Sequence, residues 1–214
     1  MALTLDYMRS LVRGRLDDED FEEDFLDSAL NQAQWKILNK RKLTFLEKTS
    51  TQVLTVGTDT VAYPTDIKDL IGIRVSAVGI QSYDITENFV DYADFQLQNY
   101  NSITSAPNQP LWWTTFGNQM IFPVLADKNY TITFTYVKKS SRVDGVTVNT
   151  FDIPDEYEEL LMIGAYMRIA KREDDYDVKA QESLDYDALL TDLVRNYTRN
   201  LAPKRIHIMR PNGR

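Results

Sequence analysis

The chain has 214 residues, 43% hydrophobic and 26% charged, with no cysteine and a formal net charge of −8. That is enough for one large domain or two closely packed halves with a real core, and it excludes a disulfide framework, a thiolate metal site and a thiol nucleophile. The closing stretch "NLAPKRIHIMRPNGR" holds Lys204, Arg205, Arg210 and Arg214 and no acid, so residues 1–199 carry 20 basic against 32 acidic side chains, a net of −12 that argues against a conventional DNA-binding protein.

"MALTLDYMRS" has no long apolar run of a signal peptide, and no later run is long enough to span a membrane. A reducing cytoplasm is therefore expected for synthesis, and no membrane partner. Thr4–Arg15 places Leu5, Met8, Leu11 and Val12 at helical spacing, with Gly14 suited to the helix end. In "LDDEDFEEDF" the acids crowd the start of a second helix, where the dipole favours negative charge. Phe21, Phe25, Ala29, Ala33 and Ile37 then step along one face as far as the basic 40–42. The pair reads as an α-hairpin.

From about Thr49 the period changes. "TQVLTV", "GTDT" and "VAYP" predict a hairpin around a short polar turn, and Leu70–Val78 a further strand. "VDYADFQLQNY" reads as a short helix and "SAPNQP" as a loop. "LWWTTF", the turn "GN" and "QMIFPV" predict a second hairpin. In "NYTITFTYV" Tyr130, Ile132, Phe134 and Tyr136 face one way with threonines opposite, the pattern of a half-buried antiparallel strand.

At "IPDEYEELLMIGAYMRIAKR" the chain turns helical again. Pro154 suits a first turn, and Asp155, Glu156, Glu158 and Glu159 lie beside the positive helix end. Tyr157, Leu160, Leu161, Gly164, Ala165, Arg168 and Ile169 predict a broad buried face, with Gly164–Ala165 allowing close helix approach. A last helix, about Val178–Arg199, carries Leu184, Tyr186, Leu189, Leu190, Leu193, Val194 and Tyr197, and Pro203 limits it. The predicted class is α+β. Residues 1–48 and 152–200 form one helical bundle, 49–151 are an inserted antiparallel β domain, and 201–214 are an extended C-terminal arm.

Candidate sites are few. His207 is the lone histidine and lies in the tail, so no Ser-His-Asp triad with a packed base is expected. The acids of "DDEDFEED" and "REDDYD" are explained by helix ends. They lack the spacing of a calcium loop, and the glycines of "GTDT" and "GIRVSAVG" lack that of a phosphate loop. No catalytic residue, metal or cofactor is expected. Trp112 and Trp113 adjoin on a predicted strand, so one ring points inward and the other outward. The outward ring suits a subunit or tail interface better than a sugar, because no polar set accompanies it. In "KRIHIMR", Ile206 and Ile208 alternate with Arg205, His207 and Met209, as in a strand added to the edge of another protein's sheet.

The helix pair, then "TVGTDTVAYPTDIKDLIGIRV", then "IPDEYEELLMIGAYMRIAKREDDYD" and a Leu/Tyr helix, resembles the head-to-tail connector (adaptor) proteins of tailed bacteriophages. The resemblance implies a structural virion protein, not an enzyme. It would be a homo-oligomeric ring, a dodecamer, beneath the portal protein, passing double-stranded DNA without specific binding and offering a platform to the next tail or neck component. The portal-binding arm would comprise Lys204, Arg205, Ile206, His207, Ile208, Met209 and Arg210. Two alternatives come from other classes: a glycan-binding or glycan-cleaving virion protein using Trp112 or Trp113, and a regulatory module whose basic tail meets nucleic acid.

Overall fold

The computed structural model describes residues 2–18, 21–97, 106–172 and 176–198, with the backbone alone over 176–181. The described chain is α+β, with five α-helices and seven strands paired antiparallel in two sheets. It divides into two units, Met1–Phe45 with Arg142–Arg214, and Leu46–Ser141.

The first unit is helical. Helix α1 (Leu5–Leu16) begins at Thr4, whose hydroxyl accepts from the Tyr7 N–H at 3.4 Å. Its end is not set by Gly14, as expected, but by Asp17, which takes φ 55° and returns its N–H to the Arg13 carbonyl. Aspartate tolerates that left-handed conformation better than most residues. Helix α2 (Glu23–Leu38) buries Leu26, Ala29, Leu30, Ala33 and Ile37, whereas Phe21 and Phe25 stay half-buried at its rim.

Helix α3 (Tyr92–Leu97) belongs to the other unit. Helix α4 (Glu158–Arg172), entered through a 3-10 turn at Asp155–Tyr157, packs on α1, on α2 and on α5 (Tyr176–Tyr197). It buries Leu160, Leu161, Ile163, Ala165 and Ile169. At Gly164 the approach is close: an added Cβ would lie 3.1 Å from both Ala33 Cβ and Tyr186 Cε2. On α5 the buried residues include Tyr186, Leu190 and Leu193, but Leu184 is 73% exposed. It stands two residues before Tyr186, hence on nearly the opposite side of the helix, so the apolar face is narrower than expected.

Backbone and amide contacts tie distant segments into this unit. Phe151 donates to the Leu3 carbonyl at 2.9 Å and Leu5 to that of Asn149 at 3.1 Å. Asn31 both donates to the Val143 carbonyl (2.9 Å) and accepts from its N–H (2.7 Å), and the buried Gln34 accepts from Asp152 N–H at 2.7 Å. The Asp144 carboxylate accepts the N–H groups of Val148, Val146 and Thr147 at 2.9, 3.0 and 2.8 Å. Those bonds favour its charged form and hold its pKa at about 2.

The second unit is built on β7 (Tyr130–Lys138). It is paired along one edge with β1 (Glu47–Leu54) and along the other with β3 (Ile67–Ala77), which carries β4 (Ile80–Asp84) outside it. The second sheet orders β2 (Thr60–Ala62), β6 (Gln119–Ile121) and β5 (Thr114–Phe116). The expected β1–β2 hairpin is therefore absent. The two segments follow each other along the chain but join different sheets, because β1 finds an eight-residue ladder on β7. The β5–β6 hairpin does form around Gly117–Asn118, where Gly117 adopts φ 60°, but its first strand starts at Thr114 rather than Leu111.

One core lies between the sheets. Tyr130, Ile132, Phe134 and Tyr136 of β7 are 0–1% exposed and meet Ile73 and Val75 of β3, Val61 of β2, Met120 of β6 and Phe122. The tyrosines keep their hydroxyls satisfied: Tyr130 donates to Asp127 at 2.6 Å and Tyr136 to Asp66 at 2.7 Å. Burial would raise the Asp66 pKa, but bonds from Lys48 (2.8 Å) and Tyr136 outweigh it and hold the carboxyl below its ordinary value.

Candidate interaction surface

The expected interface residues Trp112 and Trp113 sit just ahead of β5, and their side chains part ways. Trp113 is 4% exposed and fixed on three sides. Its indole N–H donates to the Ile85 carbonyl at 2.8 Å, its backbone N–H to the Asn88 carbonyl at 3.2 Å, and its carbonyl accepts from Val90 at 2.9 Å. Phe89 packs edge-on against its ring at 4.9 Å. Trp113 is thus an anchor that ties the 85–90 loop to the core. Trp112 is 48% exposed.

Around this pair the β unit leaves further apolar side chains open. Phe89, Leu97, Leu111 and Phe116 are all exposed. The segments bearing them are joined: Phe89 bridges to Trp113, Asn88 donates to the Leu111 carbonyl at 2.9 Å, and α3 packs on β5. Helix α3 is short. The Asp91 carboxylate accepts from Ala93 N–H at 2.9 Å to start it, and Phe95 is its buried peg. That leaves Tyr92 free to stack on Phe116, with ring centres 4.4 Å apart and planes 17° from parallel. Rigid aromatic area with a polar tip is the composition of protein interfaces, since such rings lose little rotamer freedom on contact.

The sequence reading found Trp112 but missed Phe89, Tyr92 and Phe116. A signal for Phe116 was present: it immediately precedes the "GN" turn, and a hairpin tip is where apolar residues escape the core.

Among the described residues no group of three or more His, Cys, Asp and Glu is placed to hold a metal. The Tyr130 pKa is raised by burial and by its bond to Asp127, and that of Tyr157 by burial together with the charge of Asp192. Both groups join packed elements rather than face a cleft. No described helix is long and apolar enough to cross a membrane. The arm residues Lys204, Arg205, Ile206, His207, Ile208, Met209 and Arg210 lie outside the described residues.

The model of a protein family described as SU10 adaptor protein matches residues 4–207, and so spans both units. No curated protein gives a significant match.

Proposed function

Because the chain belongs to the SU10 adaptor protein family, a family of phage adaptors, we propose that it is the head-to-tail connector of a virion. In this reading it forms a dodecameric ring beneath the portal protein and prolongs the channel through which double-stranded DNA leaves. The observation that carries it is the family match along nearly the whole chain. Helices from both chain ends form the bundle that builds the ring, and the β domain presents Trp112, Phe116 and their neighbours to the next tail or neck component. Leu201–Arg214 is the arm that grips the portal, through Ile206 and Ile208 with Lys204, Arg205 and Arg210 beside them.

The charge balance supports a channel wall. A body at −12 offers little adhesion to passing phosphates, whereas a basic lumen would retain DNA by releasing its counterions. No reaction and no cofactor belong to this role.

Native mass measurement of the purified full-length protein, alone and mixed with portal, tests the proposal. The expected result is a ring that joins the portal, and loss of that attachment on deleting 201–214 or on replacing Ile206 and Ile208 by Asp. Trp112→Ala should join the portal normally and fail at tail attachment. A wild-type chain that stays monomeric beside portal would overturn the reading.

A further inference from the structure

On the helical unit, α2, α4 and α5 border a half-open cavity of about 350 Å³ whose lining includes Lys36, Arg168, Lys171, Ser183 and Tyr186. Among the described lining residues there are three cations and no carboxylate. In a chain of net charge −8 this concentration of positive charge is out of keeping with its surroundings.

Among the described residues none of the three cations is paired with a carboxylate. The Lys36 ammonium rests 5.0 Å over the Tyr186 ring, which positions it at the wall without neutralising it. Arg168 spends its guanidinium on a neutral partner, the Gln32 side-chain oxygen at 2.5 Å. Ser183 adds a hydroxyl. Tyr186 is 3% exposed, and its own hydroxyl has no hydrogen-bond partner among the described residues. Planar and point cations beside hydroxyl donors form a receptor for an oxyanion.

The same chain carries a complementary group. "DDEDFEED", residues 17–24, holds seven acids in eight positions. Within one copy Glu23 is engaged by Arg13 at 3.2 Å and Glu22 by Arg172 at 3.8 Å, while Asp17 and Asp24 are exposed. Glu23 opens α2 and Lys36 lies in its last turn, about 20 Å apart at a 1.5 Å rise per residue. The acidic end of α2 therefore cannot reach Lys36 of its own copy.

We propose that this cavity receives carboxylates from a second copy of the chain, from Asp17 at the end of α1 and Asp24 in the first turn of α2. Donor and receptor are different patches of one surface, so the contact is heterologous: each copy gives acids to one neighbour and takes them from the other, and the pattern closes into a ring when the rotation allows. A cavity of this size admits a side chain but not the backbone of a duplex. The inference rests on the ring reading for its setting, but it makes its own demand, namely which residues meet.

The test uses the full-length protein with and without portal, read by native mass measurement, with circular dichroism to confirm folding. Lys36 and Lys171 are exposed, so Lys36→Glu with Lys171→Glu should fold. That variant should need at least tenfold more protein to assemble. Asp17→Lys with Asp24→Lys should fail similarly, and all four changes in one chain should recover much of the lost assembly. Because the chain has no cysteine, Lys36→Cys with Asp24→Cys should give a disulfide between copies and none within one. Rings of the Lys36→Glu, Lys171→Glu variant at wild-type concentrations would overturn the contact while leaving the ring reading intact. A wild-type chain that is monomeric even with portal, together with a double-cysteine variant that forms no disulfide between copies, would overturn both. If a short DNA duplex binds the wild type and not the lysine variant, and the four-change chain does not recover, the cavity is a phosphate contact and the inference fails.

Discussion

The two units solve the problem of a stable surface differently. The helical unit is laced with ion pairs: Arg9 is bidentate to Asp27 at 2.7 Å on both nitrogens, Arg13 meets Glu23, Arg172 meets Glu22, and Arg15 meets Glu182. The first two hold α1 to α2, and the last two join segments far apart along the chain, so they register helices from the two ends against each other. The β unit has fewer, Lys48–Asp66 and a longer Lys128–Asp127 contact at 3.9 Å among the described residues. It leaves a group of rings open, Phe89, Trp112 and Phe116, where the helical unit exposes Trp35. Exposed charge pairs contribute little each but choose partners by sign, whereas exposed rings hold whatever shape fits them. The difference teaches a division of surface chemistry: charge that selects by sign on one unit, rings that select by shape on the other, as the proposed contacts would require.

The largest test of that division is Phe134→Ala. Phe134 is fully buried on the central strand of the β unit, and its loss should cost about 3–5 kcal/mol. Hydrogen exchange should show protection falling across 46–141 and persisting in α2 and α4. Simultaneous loss in both units would break the comparison.

Gly164→Val is the counterpart in the helical unit. The new side chain meets Ala33 and Tyr186 at a spacing where even a Cβ needs room, so about 1–3 kcal/mol of destabilisation is expected. Here denaturant unfolding should show α2, α4 and α5 released first, with the β7 amides still protected.

Phe116→Ala removes only the Tyr92 stack and an exposed ring. Its effect on unfolding should be about 0.5–1.5 kcal/mol. A loss as large as that of Phe134→Ala would mean that the open rings are part of the core rather than a surface for contact.

The smallest effect is one of pH. The Asp144 pKa is held at about 2, below the ordinary value of 3.8, because three backbone N–H groups bind its charged form. Its stabilising contribution is full above the unfolded value and is lost as the pH falls from about 4 toward 2. Melting temperatures of the wild type and Asp144→Asn should therefore differ at pH 5 and converge near pH 2. A gap that widens on acidification would contradict the assignment.

Much of this organisation was legible because local chemistry fixes it. Thr4 and Pro154 mark helix starts, and Gly164 marks a close approach. Strand β7 announces its buried face through strict alternation. The failures share a cause. Local turn signals in "TQVLTVGTDTVAYP" point to a hairpin, yet β1 pairs with β7 because strand partnership is settled by the burial of residues some eighty positions away. The surface was legible only in part. A strand's pleat sends Trp112 and Trp113 opposite ways, but which one is buried depends on the Ile85 carbonyl, a partner that no spacing rule supplies. Tyr92 carries no signal of its own within its short segment, and only its placement beside Phe116 shows the two rings as part of one surface.

The order of strands has a consequence for how the protein is made. Strand β7 is last in sequence but lies between β1 and β3. During synthesis at about 5–20 residues per second, β1 waits roughly 4–15 s for its partner to be added, and β3 nearly as long. Until then both expose unpaired backbone edges, and the Tyr130–Tyr136 face that will cover their apolar residues does not exist. Folding of the β unit is thus gated by its final strand, and such non-local pairing slows it relative to helical packing. A nascent chain stalled before residue 130 should be prone to aggregation and respond to chaperones. One stalled well past residue 138 should resist proteases, so the growing polypeptide passes from vulnerable to protected over the emergence of nine residues.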